Sequence, residues 1–335
     1  MFPEIDPSEV DVVIAALQPD LTSFMEEWRP IISPFHILIV KDPDLEEDLR
    51  IPHGFDHQIY TRSDIRRIAG AAPIDFSGSS CRHFGFLVSG KKFVVSIDGD
   101  CLPARDGGGH PIDAVEQHLS NLRSPATPFF FNTLYDPYRA GADFVRGYPF
   151  SMRTGVQCVL SSGLSRDPGD CRYVDAVLTV PARAMMVVAG GNLAFNRAAL
   201  GPALLPGFNL PGGGARWEAM AEIWCGLCAK LVSDHLGHGV KSGLPYVWRP
   251  SAAAATTAGV GGSGGMAEAA EQAVVSFFQT VRLPRTAVVA EDCVMELAKL
   301  VREQLGKSDG VFLQVAEAMA EWVKLWKAVE SSRSS

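Results

Sequence analysis

The apolar run at residues 93–97 (FVVSI) leads without a break into Asp98-Gly99-Asp100, and this junction restricts the possible fold more than any other stretch of the sequence. Two earlier runs, residues 10–16 (VDVVIAA) and 35–40 (FHILIV), are equally rich in Val and Ile. Such runs are typical of strands buried on both faces of a parallel sheet. Because helical patterns separate them, the sequence predicts an α/β fold.

The connections between these runs carry their own start and stop signals. Residues 21–28 predict a short helix that ends at Pro30, since proline lacks a backbone N–H and clashes with the preceding turn. Residues 58–60 predict a further strand, and Ser63 is the candidate N-cap of the helix after it.

Two predictions concern the middle of the chain. Residues 173–180 and 185–189 have strand character on either side of Pro181, which favours their pairing as neighbours. Residues 217–236 are apolar at helical spacing, and Gly237 is placed to end that helix.

The last part of the chain divides at a low-complexity segment. Residues 251–265 (SAAAATTAGVGGSGG) predict a flexible Ala/Gly-rich loop. Two amphipathic helices are expected after it, at 291–305 and 311–329, and the apolar stripe of the second requires cover from the protein's own body or from a partner. The predicted organisation is an α/β domain at 1–250, the loop at 251–265 and a C-terminal helical extension at 266–335.

Charge and cysteine content exclude several classes of function. Thirty Lys and Arg against thirty-eight Asp and Glu give a net charge of -8, which disfavours nucleic acids and acidic membranes as partners. No apolar run approaches the roughly twenty residues of a membrane span, and the first residues lack a basic signal-peptide region. Seven scattered cysteines are best explained as reduced thiols, so we expect a cytoplasmic protein.

Asp98 and Asp100 carry the strongest chemical signal. They follow a predicted buried strand, and the carboxyl edge of an open α/β sheet is where ligands bind. Two carboxylates there are suited to a hard divalent cation that also binds the phosphates of a nucleotide. The alternative is a polar β-turn, for which Asp-Gly is common.

Three further residues are weaker candidates for the same site. Asp42 also follows an apolar strand and is a candidate for contacts to the base or ribose, although Pro43 favours a simple turn. Arg82 is a further candidate for nucleotide binding. His235 is a candidate third metal ligand or acid–base group, although a histidine near a helix C-terminus is more often there for the helix dipole or packing.

The pair Cys225 and Cys228 has the spacing of a redox or zinc motif. It falls inside a predicted helix, with no second pair elsewhere in the sequence, so packing is the favoured interpretation. Arg146 and Arg153 lie in the irregular stretch FVRGYPFSMRTG, where arginines are suited to neutralising a diphosphate.

The chain resembles a known family over nearly its whole length: the plant reversibly glycosylated polypeptides, or UDP-arabinopyranose mutases, of which it is a divergent member. The resemblance rests on several motifs and one long block, which are WRP at 28–30, SID at 96–98, the block TPFFFNTLYDPYRAGADFVRGYPFSMR at 127–153, NLAFNR at 192–197, DHLG at 234–237 and VKSGLPYVW at 240–248.

The resemblance implies a GT-A-like (Rossmann-like) nucleotide-sugar fold, a divalent metal (Mn²⁺ or Mg²⁺) and interconversion of UDP-L-arabinopyranose and UDP-L-arabinofuranose for wall polysaccharides. It further implies cytosolic proteins that associate peripherally with the Golgi and form homo-oligomers or hetero-complexes with paralogues. Reversible glycosylation on the arginine of the YPFSxR motif falls on Arg153.

The sequence departs from the family pattern at positions that bear on activity. The usual three aspartates before Cys101 become Asp98-Gly99-Asp100, and an acidic pair becomes Glu218-Ala219. Two hypotheses follow: a working mutase with a reduced site, or a weak or inactive paralogue that serves as a subunit of a mutase complex. A glycosyltransferase acting on a separate acceptor fits the same fold, but no acceptor site can be identified in the sequence.

Overall fold

The structure is a computed structural model that describes residues 5–105, 109–124, 177–188, 190–210, 214–243, 245, 247–248 and 266–333. The stretch 127–153 that carries much of the family resemblance, including Arg146 and Arg153, lies outside the described residues. The same holds for the predicted loop at 251–265, so the domain boundaries placed there stay a prediction.

Eleven strands are present in the described part of the chain, and most follow the apolar runs of the sequence. They are β1 Val10–Ala16, β2 His36–Lys41, β3 His57–Tyr60, β4 Ile74–Asp75, β5 Phe93–Asp98, β6 Leu102–Pro103, β7 Val177–Val180, β8 Asn192–Asn196, β9 Gly207–Phe208, β10 Val240–Gly243 and β11 Val247–Trp248.

Nine α-helices lie in the same described ranges. They are α1 Thr22–Ile32, α2 Arg62–Ala69, α3 Arg82–Val88, α4 Ala114–Arg123, α5 Arg197–Leu200, α6 Gly214–His235, α7 Met266–Thr280, α8 Ala290–Gln304 and α9 Val311–Arg333. None of these described helices is both long enough and apolar enough to cross a bilayer.

The central sheet has the strand order β3-β2-β1-β5-β8. The pairs β3–β2, β2–β1 and β1–β5 are parallel, whereas β8 joins β5 antiparallel. The carboxyl ends of four strands therefore meet at one edge, where Ala15 of β1 lies opposite Asp98 of β5. This largely parallel sheet confirms the α/β class predicted from the sequence.

Both faces of the sheet are covered, as the unbroken apolar runs predicted. Alternate residues of β1 point to opposite sides: Val12 and Ile14 join a cluster with Trp28 and α1, while Val13 and Ala15 join the larger cluster that includes the C-terminal helices. The apolar stripe of α9 is therefore covered by the body of the protein rather than by a partner.

Arg197 fixes α9 to the sheet. Its buried guanidinium donates to the carbonyl oxygens of Phe86 and Leu87 at 2.8 Å each, and it pairs with Glu330 of α9 at 2.6 Å. The same guanidinium lies 4.6 Å from the ring centroid of Trp326. The final arginine of the NLAFNR motif thus joins α9 to α3.

Three local predictions are wrong for identifiable reasons. Helix α1 continues through Pro30 to Ile32, because proline removes one hydrogen bond near the helix end while Ile31 and Ile32 gain burial. Thr61, not Ser63, caps α2, through a reciprocal capping box with Asp64.

The third error concerns strand pairing. Strand β7 pairs antiparallel with β10, about sixty residues further along the chain, and not with the described residues 185–188. Residues 185–188 are buried without being a strand, because they pack against α6 at Gly226, where an added Cβ would lie 2.5 Å from the backbone nitrogen of Val188. Their apolar character therefore reflects burial rather than sheet formation.

Candidate functional site

The site lies where β5 ends. Asp98 is the last residue of the strand, and the chain then turns tightly, with the Cys101 amide donating to the Asp98 carbonyl oxygen at 2.9 Å. The Gly99 amide donates to the carbonyl oxygen of Ala15 at the end of β1, at 3.0 Å. The polar turn that Asp-Gly favours is therefore present at the carboxyl edge of the sheet, and ligand binding there stays a prediction.

Side chains from two other segments hold this turn in place. The buried indole of Trp28 donates to the Cys101 carbonyl oxygen at 2.8 Å, and the Gln18 amide donates to the Gly99 carbonyl oxygen at 3.2 Å. The Asp98 amide reaches the carbonyl oxygen of Gly191, beside β8, at 3.3 Å. Elements from both sides of β5 thus fix the backbone of the turn that carries the two aspartates.

Gly99 is required by close packing. A Cβ at this position would lie 2.7 Å from the Ala15 carbonyl oxygen, a distance that real Cβ atoms essentially never show against backbone. The absence of a third carboxylate is thus built into the contact between β1 and the turn.

We expect Gly99→Ala to lower the free energy of unfolding by about 1–3 kcal/mol, because the added methyl group forces β1 and the turn apart. Gly90→Ala is the matched control, since nothing lies within 4 Å of its added Cβ. Urea unfolding of both variants measures the difference, and equal stability of the two would refute the packing requirement.

Arg82 forms a buried ion pair with Asp98. One guanidinium nitrogen lies 2.9 Å and 3.1 Å from the two carboxylate oxygens, and the residues are 3% and 2% exposed. Gly190 leaves space for this arginine, because a Cβ there would lie 2.4 Å from a terminal guanidinium nitrogen. Arg82 therefore contacts the carboxylate of Asp98 directly, and its contact with a nucleotide stays a prediction.

Asp42 takes part in the site through the backbone that leads to Arg82. Its carboxylate accepts from the amides of Asp44, at 3.1 Å, and Gly78, at 3.0 Å. Gly78 begins the 3-10 turn that runs directly into α3, whose first residue is Arg82. Asp42 therefore lies in a turn and links the end of β2 to the start of α3.

The donor atoms fit a hard divalent cation. The carboxylates of Asp98 and Asp100 and the thiol of Cys101 lie within 4.8 Å of one another. Carboxylate oxygens are the preferred ligands of Mg²⁺ and Mn²⁺, whereas a thiol suits softer ions. With Arg82 counted, the group of Asp98, Asp100 and Arg82 carries a formal charge of -1, which attracts a cation.

His235 is placed elsewhere. Its Nε2 lies 2.8 Å from the carbonyl oxygen of Ala287, so the ring donates there and joins the end of α6 to the segment before α8. The cluster of metal-ligand type around Asp98 does not include it. Its role as a third metal ligand stays a prediction that this contact does not support.

Cys225 and Cys228 are buried in α6 and are free thiols. Burial raises the pKa of Cys225 to about 12 and the pKa of Cys228 well above its usual value, so neither is a thiolate near neutral pH. Packing, the favoured interpretation of this motif, is confirmed.

Sequence reasoning missed a half-buried histidine beside the site. His118 of α4 lies 2.7 Å from the Oδ1 atom of Asn192, the residue that opens β8 and pairs with Ile97 of β5. Asn192 in turn donates to the carbonyl oxygen of Pro245 at 2.9 Å. This chain of contacts spans 127 positions of sequence, so no local pattern could have indicated it.

His118 makes stability depend on pH. Burial lowers its pKa from 6.5 to about 4, against the opposing effect of the hydrogen bond to Asn192. The unfolded chain therefore binds more protons between these values, so stability is full above about pH 7 and decreases as the pH falls from 6.5 towards 4. At pH 5 the expected loss from this histidine is about 2 kcal/mol.

Urea unfolding at pH 5 and pH 7.5 tests this prediction. His118→Gln keeps a donor for Asn192 but cannot titrate, so we expect it to reduce the pH dependence. His53→Gln, at an exposed histidine, is the control. Unchanged pH dependence in the His118 variant would contradict the assignment.

Together, the parallel sheet and the carboxylate pair at its carboxyl edge define an α/β protein with a candidate ligand site at the end of β5. Comparison with known proteins shows to which family of α/β proteins the chain belongs. The chain belongs to the reversibly glycosylated polypeptide family, whose sequence model matches residues 5–331. The membership expected from the sequence motifs is confirmed.

Several relatives are similar over almost the whole chain. A rice protein named "Probable inactive UDP-arabinopyranose mutase 2" is 54% identical, covering 97% of both chains, and Arabidopsis thaliana "Probable UDP-arabinopyranose mutase 5" is 53% identical, covering 98% and 99%. Rice "UDP-arabinopyranose mutase 1" is 43% identical, covering 98% of this chain and 93% of its own. Among solved structures, S. aureus TarS 1-349 aligns with 97% of this chain and 92% of its own at 10% identity and a TM-score of 0.36.

Proposed function

We propose that this protein binds a UDP-sugar at the carboxyl edge of the sheet and interconverts UDP-L-arabinopyranose and UDP-L-arabinofuranose. The observation that carries the proposal is the pair Asp98 and Asp100 at the end of β5, with Asp98 held by the buried Arg82. The identity of the sugar is inferred from the family, because relatives of this chain are named UDP-arabinopyranose mutases.

Each residue of the site has a distinct proposed role. Asp98 and Asp100 would hold Mn²⁺ or Mg²⁺, which when bound offsets negative charge on the diphosphate. Arg82 orients Asp98 through its ion pair, and Asp42 positions the turn that carries Arg82. Arg153 is proposed as the reversibly glycosylated residue; because a guanidinium stays protonated, its reaction needs local activation.

A second candidate function is that of an inactive subunit in a mutase complex. Two observations favour it: the packing around Gly99 leaves no space for a third aspartate, and a relative 54% identical is named probably inactive. Because Gly99→Asp would meet the Ala15 carbonyl oxygen, we expect it to destabilise the turn rather than to restore a missing carboxylate.

The proposal includes a cellular setting. We place the protein in the cytosol, peripherally associated with the Golgi, as a homo-oligomer or as a hetero-complex with family paralogues, in cell-wall polysaccharide synthesis. Family membership supports this setting.

Turnover separates the two candidate functions. The purified chain is incubated with UDP-L-arabinopyranose and Mn²⁺, alone and mixed with rice UDP-arabinopyranose mutase 1, and the furanose product is followed by chromatography. Product from the chain alone, lost on chelation, establishes a mutase. No product alone, together with stable association and a changed rate of the rice enzyme, establishes a subunit. Neither product nor association would overturn both.

A further inference from the structure

A second pocket lies away from the carboxylates at the end of β5. Its volume is about 310 Å³, and it opens between the C-terminal halves of α6 and α7, beside residues 183–185 and 281–283. This size is at the lower end of the range typical of small-molecule sites. The pocket shares no residue with the group formed by Asp42, Arg82, Asp98 and Asp100.

The floor of this pocket is apolar. Met185, Leu227, Phe278 and Val281 line it, and each is less than 10% exposed. Three separate elements contribute them: the segment before β8, α6 and α7 with the residues after it. A floor of this kind favours a ligand that has an apolar body.

The rim is positively charged in a protein whose net charge is -8. The exposed Arg183 and Arg282 lie on it, and the buried Lys230 lines the pocket with one acid, Asp234, which leaves a formal charge of +2 with His235 neutral. The C-termini of α6 and α7 each contribute about half a negative charge. The balance is about +1, which matches a monoanion better than a phosphate dianion.

Lys230, Asp234 and the backbone of Arg183 are held in place before any ligand binds. The ammonium group of Lys230 donates to the carbonyl oxygen of Pro181 at 3.2 Å and to the Asp234 carboxylate at 2.5 Å. The same carboxylate accepts from the backbone amide of Arg183 at 2.8 Å, and Arg183 has the unusual backbone φ of 68°. Strained backbone of this kind is concentrated at functional sites.

The guanidinium of Arg183 has no hydrogen-bond or ion-pair partner among the residues that the structure describes. Arg282 uses one terminal nitrogen for the carbonyl oxygens of Gln279 and Val281, at 3.2 Å and 2.6 Å. Guanidinium groups bind carboxylates through paired hydrogen bonds. We infer that this pocket is a binding site for a small organic carboxylate with an apolar body, separate from the nucleotide-sugar site.

Benzoate is the probe for this site, with its dissociation constant measured by ligand-observed NMR titration. Benzamide has the same shape without the charge, and acetate has the charge without the apolar body. We expect benzoate to bind at least fivefold more tightly than either. Arg183→Met and Arg282→Met each weaken benzoate at least fivefold, while Arg66→Met, at an exposed arginine on α2, leaves it unchanged.

Several results would overturn the inference. A dissociation constant for benzoate weaker than about 10 mM means that the pocket does not bind this class. If benzamide binds as tightly as benzoate, the charge of the rim does not contribute to binding. If Arg66→Met weakens benzoate as much as the pocket variants do, the attraction is nonspecific. Displacement of benzoate by UDP with Mn²⁺ assigns the binding to the nucleotide-sugar site instead.

Discussion

Replacing Arg82 by methionine is expected to lower the free energy of unfolding by about 3–5 kcal/mol. The guanidinium and the Asp98 carboxylate are both buried, so the substitution removes a positive charge 2.9 Å from a carboxylate that is only 2% exposed. Methionine fills part of the same volume, so the loss reports mainly the missing charge. Urea unfolding at pH 7.5 measures the change.

An exposed ion pair provides the matched control for this prediction. Arg62 lies 3.0 Å from Asp44, nearly the same separation as in the buried pair, but both side chains are more than half exposed. Arg62→Met should therefore cost less than about 1 kcal/mol. Similar losses in the two variants would mean that burial does not distinguish the pairs.

The double variant Arg82→Met/Asp98→Asn tests the cause of the loss. Because it removes both charges, it should be more stable than Arg82→Met alone, although the amide still requires hydrogen-bond partners. Arg82→Lys should recover part of the stability, since it keeps the charge. If the double variant instead loses the sum of the two single losses, the residues are not coupled.

Asp100→Asn is expected to reduce metal-dependent turnover of UDP-L-arabinopyranose by about 10²–10³-fold, the cost typical of losing one group that stabilises transition-state charge. It should also weaken Mn²⁺ binding at least tenfold, because even indirect contacts to a metal contribute that much. Asp100 is only half-buried, in contrast to Asp98, so the fold should tolerate the change.

The Mn²⁺ affinity of Asp100→Asn is measured by electron paramagnetic resonance, which gives a result even if the chain proves inactive. Asp44→Asn, at an exposed carboxylate beyond β2, two strands away from β5, is the control and should bind Mn²⁺ as the wild type does. Unchanged Mn²⁺ affinity in Asp100→Asn would remove Asp100 from the metal site.

The sequence predicts the parts of the fold that depend on neighbouring residues. Strand β1 begins and ends where its apolar run does, and α6 ends at His235, two residues before the positive-φ Gly237, as the glycine signal indicated. Prediction failed where tertiary contacts outweighed local preference. Pro30 lies inside a helix because burial of the residues after it outweighs one lost hydrogen bond.

The residues of the candidate site also fall into two groups: those that a local sequence pattern indicates and those that only tertiary contacts bring together. Asp98 and Asp100 could be found because an acidic turn directly after an apolar strand is a local pattern. The space that Gly190 leaves for Arg82 could not, since the two residues are 108 positions apart and only the folded sheet brings them together. Gln18 likewise meets Gly99 across 81 positions, so its contact with the turn has no local signal.

Calorimetric titration of the purified wild-type chain with UDP, with and without Mn²⁺, tests whether the end of β5 is a metal-dependent UDP-sugar site. We expect UDP to bind in the presence of Mn²⁺, and we expect chelation, or the Asp100→Asn substitution, to weaken binding at least tenfold. UDP binding of equal strength with chelator and in Asp100→Asn, or no binding under either condition, would contradict the assignment of the end of β5 as a metal-dependent UDP-sugar site.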